Sequence, residues 1–192
     1  MAVHLALLEI GAPHRLELVD FAQEAQHSPE YLRLNPRGQV PTLVIDGQPY
    51  FESAALLMIL ADRHPEARLA PPPGSALRAD WYQWMAFLTN SLGPVYRYWF
   101  YPPDLGSPEH PPFVRDALRQ KIEDAWSLVD AHLASNGPYM LGADFSAVDL
   151  LARPDVSFSG DRFEVQPEAI EHVVELLFEA QILYRATGGV HT

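Results

Sequence analysis

Cysteine is absent from the 192 residues. The chain therefore has no disulfide, no thiolate metal site and no thiol nucleophile of its own. Nothing points to an oxidising compartment, and a cytoplasmic location is the expectation. Positive charge is scarce: 13 Lys and Arg stand against 25 Asp and Glu, a formal net charge of −12. Such a chain lacks the basic face that nucleic acid requires, so no nucleic-acid partner is expected. Nor does it attract an anionic ligand from a distance; a local site would have to do so. No apolar run is long enough to span a bilayer, and no membrane association is expected. The N-terminus has no basic region followed by an apolar stretch, so no signal peptide is expected. The eight histidines show no ligand spacing such as H-x-x-x-H, and no metal is expected. P-loop, dinucleotide and G-x-S-x-G fingerprints are missing, as are internal repeats. The hydrophobic fraction is 48%, ordinary for a globular chain of one or two domains with a substantial core.

What is present centres on Asn35 to Leu69. A turn cluster, Asn35-Pro36-Arg37-Gly38, leads through Gln39-Val40-Pro41 into the apolar run Thr42 to Ile45. Asp46-Gly47 follows, a strong hairpin signal because both residues tolerate positive φ. Pro49 to Phe51 can return as the second strand, and Glu52-Ser53 opens an apolar helix with Leu56, Leu57, Ile59 and Leu60. Pro41 can begin a strand but has no N–H for a central position. An X-Pro bond at such a corner can be cis. With Val40-Pro41 cis, the Val40 N–H and C=O can face outward and pair with an extended peptide ligand. Ser53 is the expected N-cap, and a helix N-terminus offers unpaired N–H groups to a carboxylate. Glu52 beside it can hold an ammonium group. Taken singly, these residues make a hairpin, a helix and a structural proline. Taken as an ordered set, they point to a site for a ligand with a peptide middle and an α-amino acid end.

Asn35-Pro-x-Gly-Gln-Val-Pro-x-Leu, followed by Glu52-Ser53 at the head of a helix, resembles the glutathione-binding half of the glutathione transferases. The similarity runs from about Val3 to Leu151. It implies a thioredoxin-like domain over 1–70 and an all-α domain over 75–192. It also implies that Val40 pairs with the cysteinyl backbone of glutathione next to Pro41, that Glu52 and Ser53 hold the γ-glutamyl end, and that Gln39 is a neighbour. The implied activity is conjugation of the glutathione thiol to a small electrophile, glutathione being a substrate, in a homodimer. The alternative is a binding or dimerising protein of the same fold without turnover. No thiol-activating residue is found at a matched position, so the catalytic residue stays unassigned.

Met1 to Ile10 has a helical pattern ended by Gly11 and Pro13, with no capping residue before it. Arg15 to Val19 reads as a strand with Leu16 and Leu18 on one face, and Pro29 to Leu34 as a short helix. In the family a strand and a catalytic loop precede this first helix. That strand is central, between those matching Arg15–Val19 and Thr42–Ile45. Its absence implies either an N-terminally shortened chain or a rearranged sheet. Pro71-Pro72-Pro73-Gly74 is a stiff linker. Beyond it, Leu77 to Leu92 is a long amphipathic helix interrupted at Gly93-Pro94, and Tyr96 to Tyr101 form an aromatic cluster. This cluster reads as core and dimer contact, or as a co-substrate wall in which Tyr96 or Tyr98 bonds the substrate. Phe113 to Leu133 is a second long helix. Ser146-Ala147-Val148-Asp149 has capping-box spacing with staple residues Phe145 and Leu150, and resembles the folding motif of the transferase helical domain. Pro154 interrupts the pattern, and Pro167 opens a new helix with Ile170, Val173, Val174, Leu177 and Ile182 on its apolar face.

Overall fold

The computed structural model describes residues 2–152 and the backbone of residues 182–186. They fall into two units: residues 2–70 with 182–186, and residues 71–152.

In the first unit, α1 (Ala2–Ile10) buries Val3, Ala6 and Leu7, which share one helical face. β1 (His14–Leu18) follows. A 3₁₀ turn then leads into α2 (Pro29–Leu32), where Ser28 Oγ accepts from the Tyr31 N–H at 3.2 Å and Pro29 takes the first turn. β2 (Thr42–Ile45) is buried at every position, and β3 (Gln48–Phe51) returns antiparallel to it. Asp46 (φ 50°) and Gly47 (φ 78°) make the connecting turn. α3 (Ser53–Arg63) buries Leu56, Leu57, Leu60 and Ala61, and packs on α1. Leu7, Leu43, Leu56 and Leu57 are wholly inaccessible, each burial stabilising the unit by about 2 kcal/mol.

The sheet is rearranged. Its order is β1-β4-β2-β3, with β4 (Ile182–Ala186) lying between β1 and β2. β4 runs antiparallel to β1, from His14 opposite Ala186 to Leu18 opposite Ile182. It runs parallel to β2, with Thr42, Leu43 and Val44 beside Leu183, Tyr184 and Arg185. The all-α assignment over 75–192 is corrected here: residues 182–186 join the sheet because β1 and β2 would otherwise face each other with unpaired backbone groups. Ile182, read as part of a helix face, opens the strand. The rest of the helix expected from Pro167 lies outside the described residues. Leu16 and Leu18 do share a face of β1, but they are 39% and 80% exposed, so that face looks outward.

The second unit is helical: α4 (Leu77–Phe87), α5 (Gly93–Phe100), α6 (Pro112–Asn136) and α7 (Ala147–Ala152). Gly93-Pro94 does not interrupt the path. A π-helical turn, Leu88–Leu92, joins α4 to α5 and places Pro94 in the first turn of α5, where its missing N–H does no harm. Trp81, Met85, Ile122 and Val129 are buried to within 1%. In the polyproline linker the Pro71 carbonyl accepts from Arg78 Nη1 at 2.8 Å, and that guanidinium stacks over the Trp81 ring at 4.5 Å.

The cap at Ser146 forms as its spacing implies and does more. Asp149 Oδ2 accepts from the Ser146 N–H at 2.8 Å, and Ser146 Oγ receives the Val148 N–H at 3.3 Å. Asp149 Oδ1 also accepts from the Met140 N–H at 2.7 Å, tying the 139–142 turn to the start of α7.

Candidate glutathione-binding corner

The corner is built from the loop before β2 and the start of α3. Val40-Pro41 is cis. Among the described residues, no backbone hydrogen bond engages the Val40 main chain. The hairpin sets Thr42 opposite Phe51, so Val40-Pro41 and Glu52-Ser53 leave the sheet side by side. Gln39, Val40, Pro41, Glu52 and Ser53 are thus brought together by one register.

The helix cap is Glu52, one residue earlier than expected, and Ser53 is the first helical residue. Glu52 has φ 71° and ψ 111°, and its side chain makes no capping bond. It forms an ion pair with Arg37 instead. The first intrahelical bond in this turn is Leu56 N–H to Glu52 C=O at 2.9 Å. The amides of Ser53, Ala54 and Ala55 are therefore the orphan donors of the helix end, at its positive pole. No acidic residue stands in that first turn.

A buried polar network, not foreseen from the sequence, braces the loop. Asn35 is 2% exposed. Its Nδ2 donates to the Gln39 carbonyl at 2.7 Å and to Thr42 Oγ1 at 3.3 Å. Its Oδ1 accepts from the Arg37 N–H at 3.1 Å, an Asx turn. Tyr31 Oη donates to the same Gln39 carbonyl at 2.7 Å and lies 2.8 Å from Thr42 Oγ1. Burial raises the Tyr31 phenol above its ordinary value, partly offset by the bonds to Thr42 and Asn35, so it is a neutral donor. The sequence signal was Asn35 at the head of the turn cluster. The roles of Tyr31 and Thr42 left no local trace.

Gly38 closes the loop with φ +60°, and a Cβ there would lie 2.8 Å from His27 Nδ1 and 3.2 Å from the Gln26 carbonyl. Gly38→Ala is expected to destabilise the unit by about 1–2 kcal/mol. Adding His27→Ala removes only the side-chain contact and recovers only part of the loss. An unchanged urea midpoint for Gly38→Ala would contradict the assignment.

Tyr96 and Tyr98 belong to the helical unit. Tyr96 Oη accepts from Trp126 Nε1 at 2.7 Å, its ring stacks on Phe100 with centroids 6.0 Å apart, and burial raises its phenol. Tyr98 is 37% exposed, and its carbonyl lies 2.5 Å from His110 Nε2. Among the described residues, no group of three His, Asp or Glu is placed to hold a metal, and no helix is long and apolar enough to cross a membrane.

Residues 1–63 match the family described as glutathione S-transferase, N-terminal domain. A glutathione S-transferase of Xanthomonas campestris is 35% identical over 141 residues, covering 69% of this chain and 65% of that protein. The chain thus spans just under two thirds of that relative's length. A glutathione transferase from Burkholderia graminis, solved with two glutathione molecules bound per subunit, is 27% identical with a TM-score of 0.68, covering 78% of this chain and 64% of that one. A glutathione transferase from Phanerochaete chrysosporium, solved with oxidized glutathione, superposes with a TM-score of 0.72 at 22% identity, covering 93% and 84%. That last likeness concerns the fold: a thioredoxin-like domain and a helical domain.

Proposed function

The chain belongs to the glutathione S-transferase family, and on that premise we propose that it holds glutathione at the Val40–Ser53 corner and delivers its thiol to a small electrophile. The Val40 main chain, which no backbone hydrogen bond engages among the described residues, beside a start of α3 that has no side-chain capping bond, carries the proposal. Val40 pairs with the cysteinyl backbone of the ligand, and Pro41 shapes the corner. The α3 amides and the Ser53 hydroxyl take the γ-glutamyl carboxylate, and Glu52 takes the ammonium group, sharing its carboxylate with Arg37. Gln39 borders the ligand through its side chain, since its carbonyl is occupied by Tyr31 and Asn35. In the transfer step the thiol loses its proton and the thiolate forms a C–S bond to the electrophile, with loss of a leaving group or protonation of the carbon beyond. Lowering the thiol pKa by ~2 units takes about 2.7 kcal/mol. Tyr96 and Tyr98 are the proposed co-substrate wall, and a cytoplasmic homodimer is the proposed working form.

A second reading, glutathione binding without turnover, is favoured by one observation. Two of the hydroxyls near the corner, those of Tyr31 and Thr42, are committed to the loop network, and the chain has no cysteine.

Capture of the full chain on glutathione resin, with a chromogenic conjugation assay, separates the two. Capture with turnover supports transfer, and capture alone supports binding. No capture of a cooperatively melting protein rejects both. Glu52→Gln removes the charge that meets the ammonium group and is expected to weaken glutathione binding about tenfold. Its melting temperature is expected to stay within ~1 °C, because an exposed ion pair contributes little to stability. Titration calorimetry and a thermal melt check both halves.

A further inference from the structure

The slot between β1 and β2 is filled by a strand from the far part of the sequence. Among the described residues β1 pairs with β4 alone, across five registered pairs, and β2 adds three more. The two walls run in opposite senses, since β4 is antiparallel to one and parallel to the other. A strand entering in either direction therefore makes one parallel and one antiparallel ladder. The slot recognises an extended main chain, and it does so through backbone hydrogen bonds that do not depend on how the strand is tethered.

We propose that this slot is a strand-receiving site that takes residues 182–186 of a second copy of the chain as well as its own, so that two copies exchange β4. The copy is the fitting partner because an identical strand reproduces every registered pair, and mutual exchange leaves no wall unpaired in either protomer. Such exchange is a low-cost route to a closed two-fold dimer. The inference stands apart from the glutathione reading; either can fail without the other.

The lack of native cysteine makes the test clean. Leu16 and Tyr184 are register partners in β1 and β4. Leu16→Cys chains and Tyr184→Cys chains are unfolded, mixed in equal amounts, refolded together and oxidised. Exchange is expected to give a covalent heterodimer at several times the two-to-one excess over each homodimer that chance pairing produces. A statistical mixture, or no covalent dimer at protein concentrations up to the millimolar range, overturns the proposal. The second measurement uses the unmodified chain, refolded with a fluorescent synthetic peptide spanning residues 180–188. Saturable binding that raises the melting temperature by ~5 °C at high occupancy is expected. Absence of binding at millimolar peptide overturns the proposal even where the cysteine variants fail to fold.

Discussion

Asp149→Ala is expected to lower the stability of the helical unit by about 3 kcal/mol, a fall in melting temperature of roughly 9 °C. The carboxylate serves the Met140 amide, the Ser146 amide and the Ser146 hydroxyl at once. Alanine leaves two backbone donors without partners and removes the cap of α7. Asp149→Asn is expected to be nearly as harmful, since its amide presents an N–H to groups that are themselves donors. The effect also depends on pH. Burial pushes the Asp149 carboxyl up, and the hydrogen bonds from Met140 and Ser146 offset only part of that. With the folded value above the unfolded one, the folded chain binds this proton more tightly. The stabilisation linked to this proton is then present below the ordinary aspartate range and is lost as pH rises through the folded value. The difference in stability between the parent and Asp149→Ala should therefore be largest at the acid end of that window and narrow above it. Urea unfolding at several pH values measures it, and a gap that widens with pH would contradict the sign.

Asn35→Ala should reduce both stability and ligand capture. Three hydrogen bonds end on this one buried side chain, and they tie the turn cluster to Gln39, Thr42 and Arg37. Losing them is expected to cost about 2–3 kcal/mol and to loosen the loop that carries Val40, weakening glutathione binding tenfold or more. Tyr31→Phe removes only the phenol oxygen. Gln39 keeps its bond from Asn35, so that variant is expected to lose about 1 kcal/mol and to bind nearly as the parent does. Parallel unfolding and calorimetry of the two variants decide the matter. Equal losses for both would show that the brace is shared evenly and not centred on Asn35.

The hairpin, its turn, the head of α3 and the cap before α7 were legible because each is specified by neighbouring residues: Asp46-Gly47, the Glu52-Ser53 pair, and Ser146 with Asp149. What lay beyond reach needed distant partners. Ile182 to Ala186 is a short apolar run, and such a run does not distinguish strand from helix without knowing what it pairs with. Ile182 also fell in phase with the helical pattern of Ile170, Val173, Val174 and Leu177. The pattern around α1 left open a shortened chain or a rearranged sheet, and nothing local said which residues would lie between β1 and β2. The shift of the α3 cap to Glu52 rests on a positive φ at a non-glycine residue, which residue type does not forecast. Thr42 sits in an apolar run and resembles a surface residue of the strand, yet it is fully buried among polar partners.

The placement of β4 also sets an order of events during synthesis. The first unit has its hairpin and three helices soon after residue 63, but the middle strand of its sheet is translated last. At ~5–20 residues per second, β1 and β2 wait on the order of ten seconds with open edges before β4 leaves the ribosome. Through that interval the nascent chain presents two unpaired strand edges, one of them bearing the exposed Leu16 and Leu18. A ribosome-bound holdase, or slow dilution during refolding, should therefore improve the yield of this protein more than that of one whose sheet closes early.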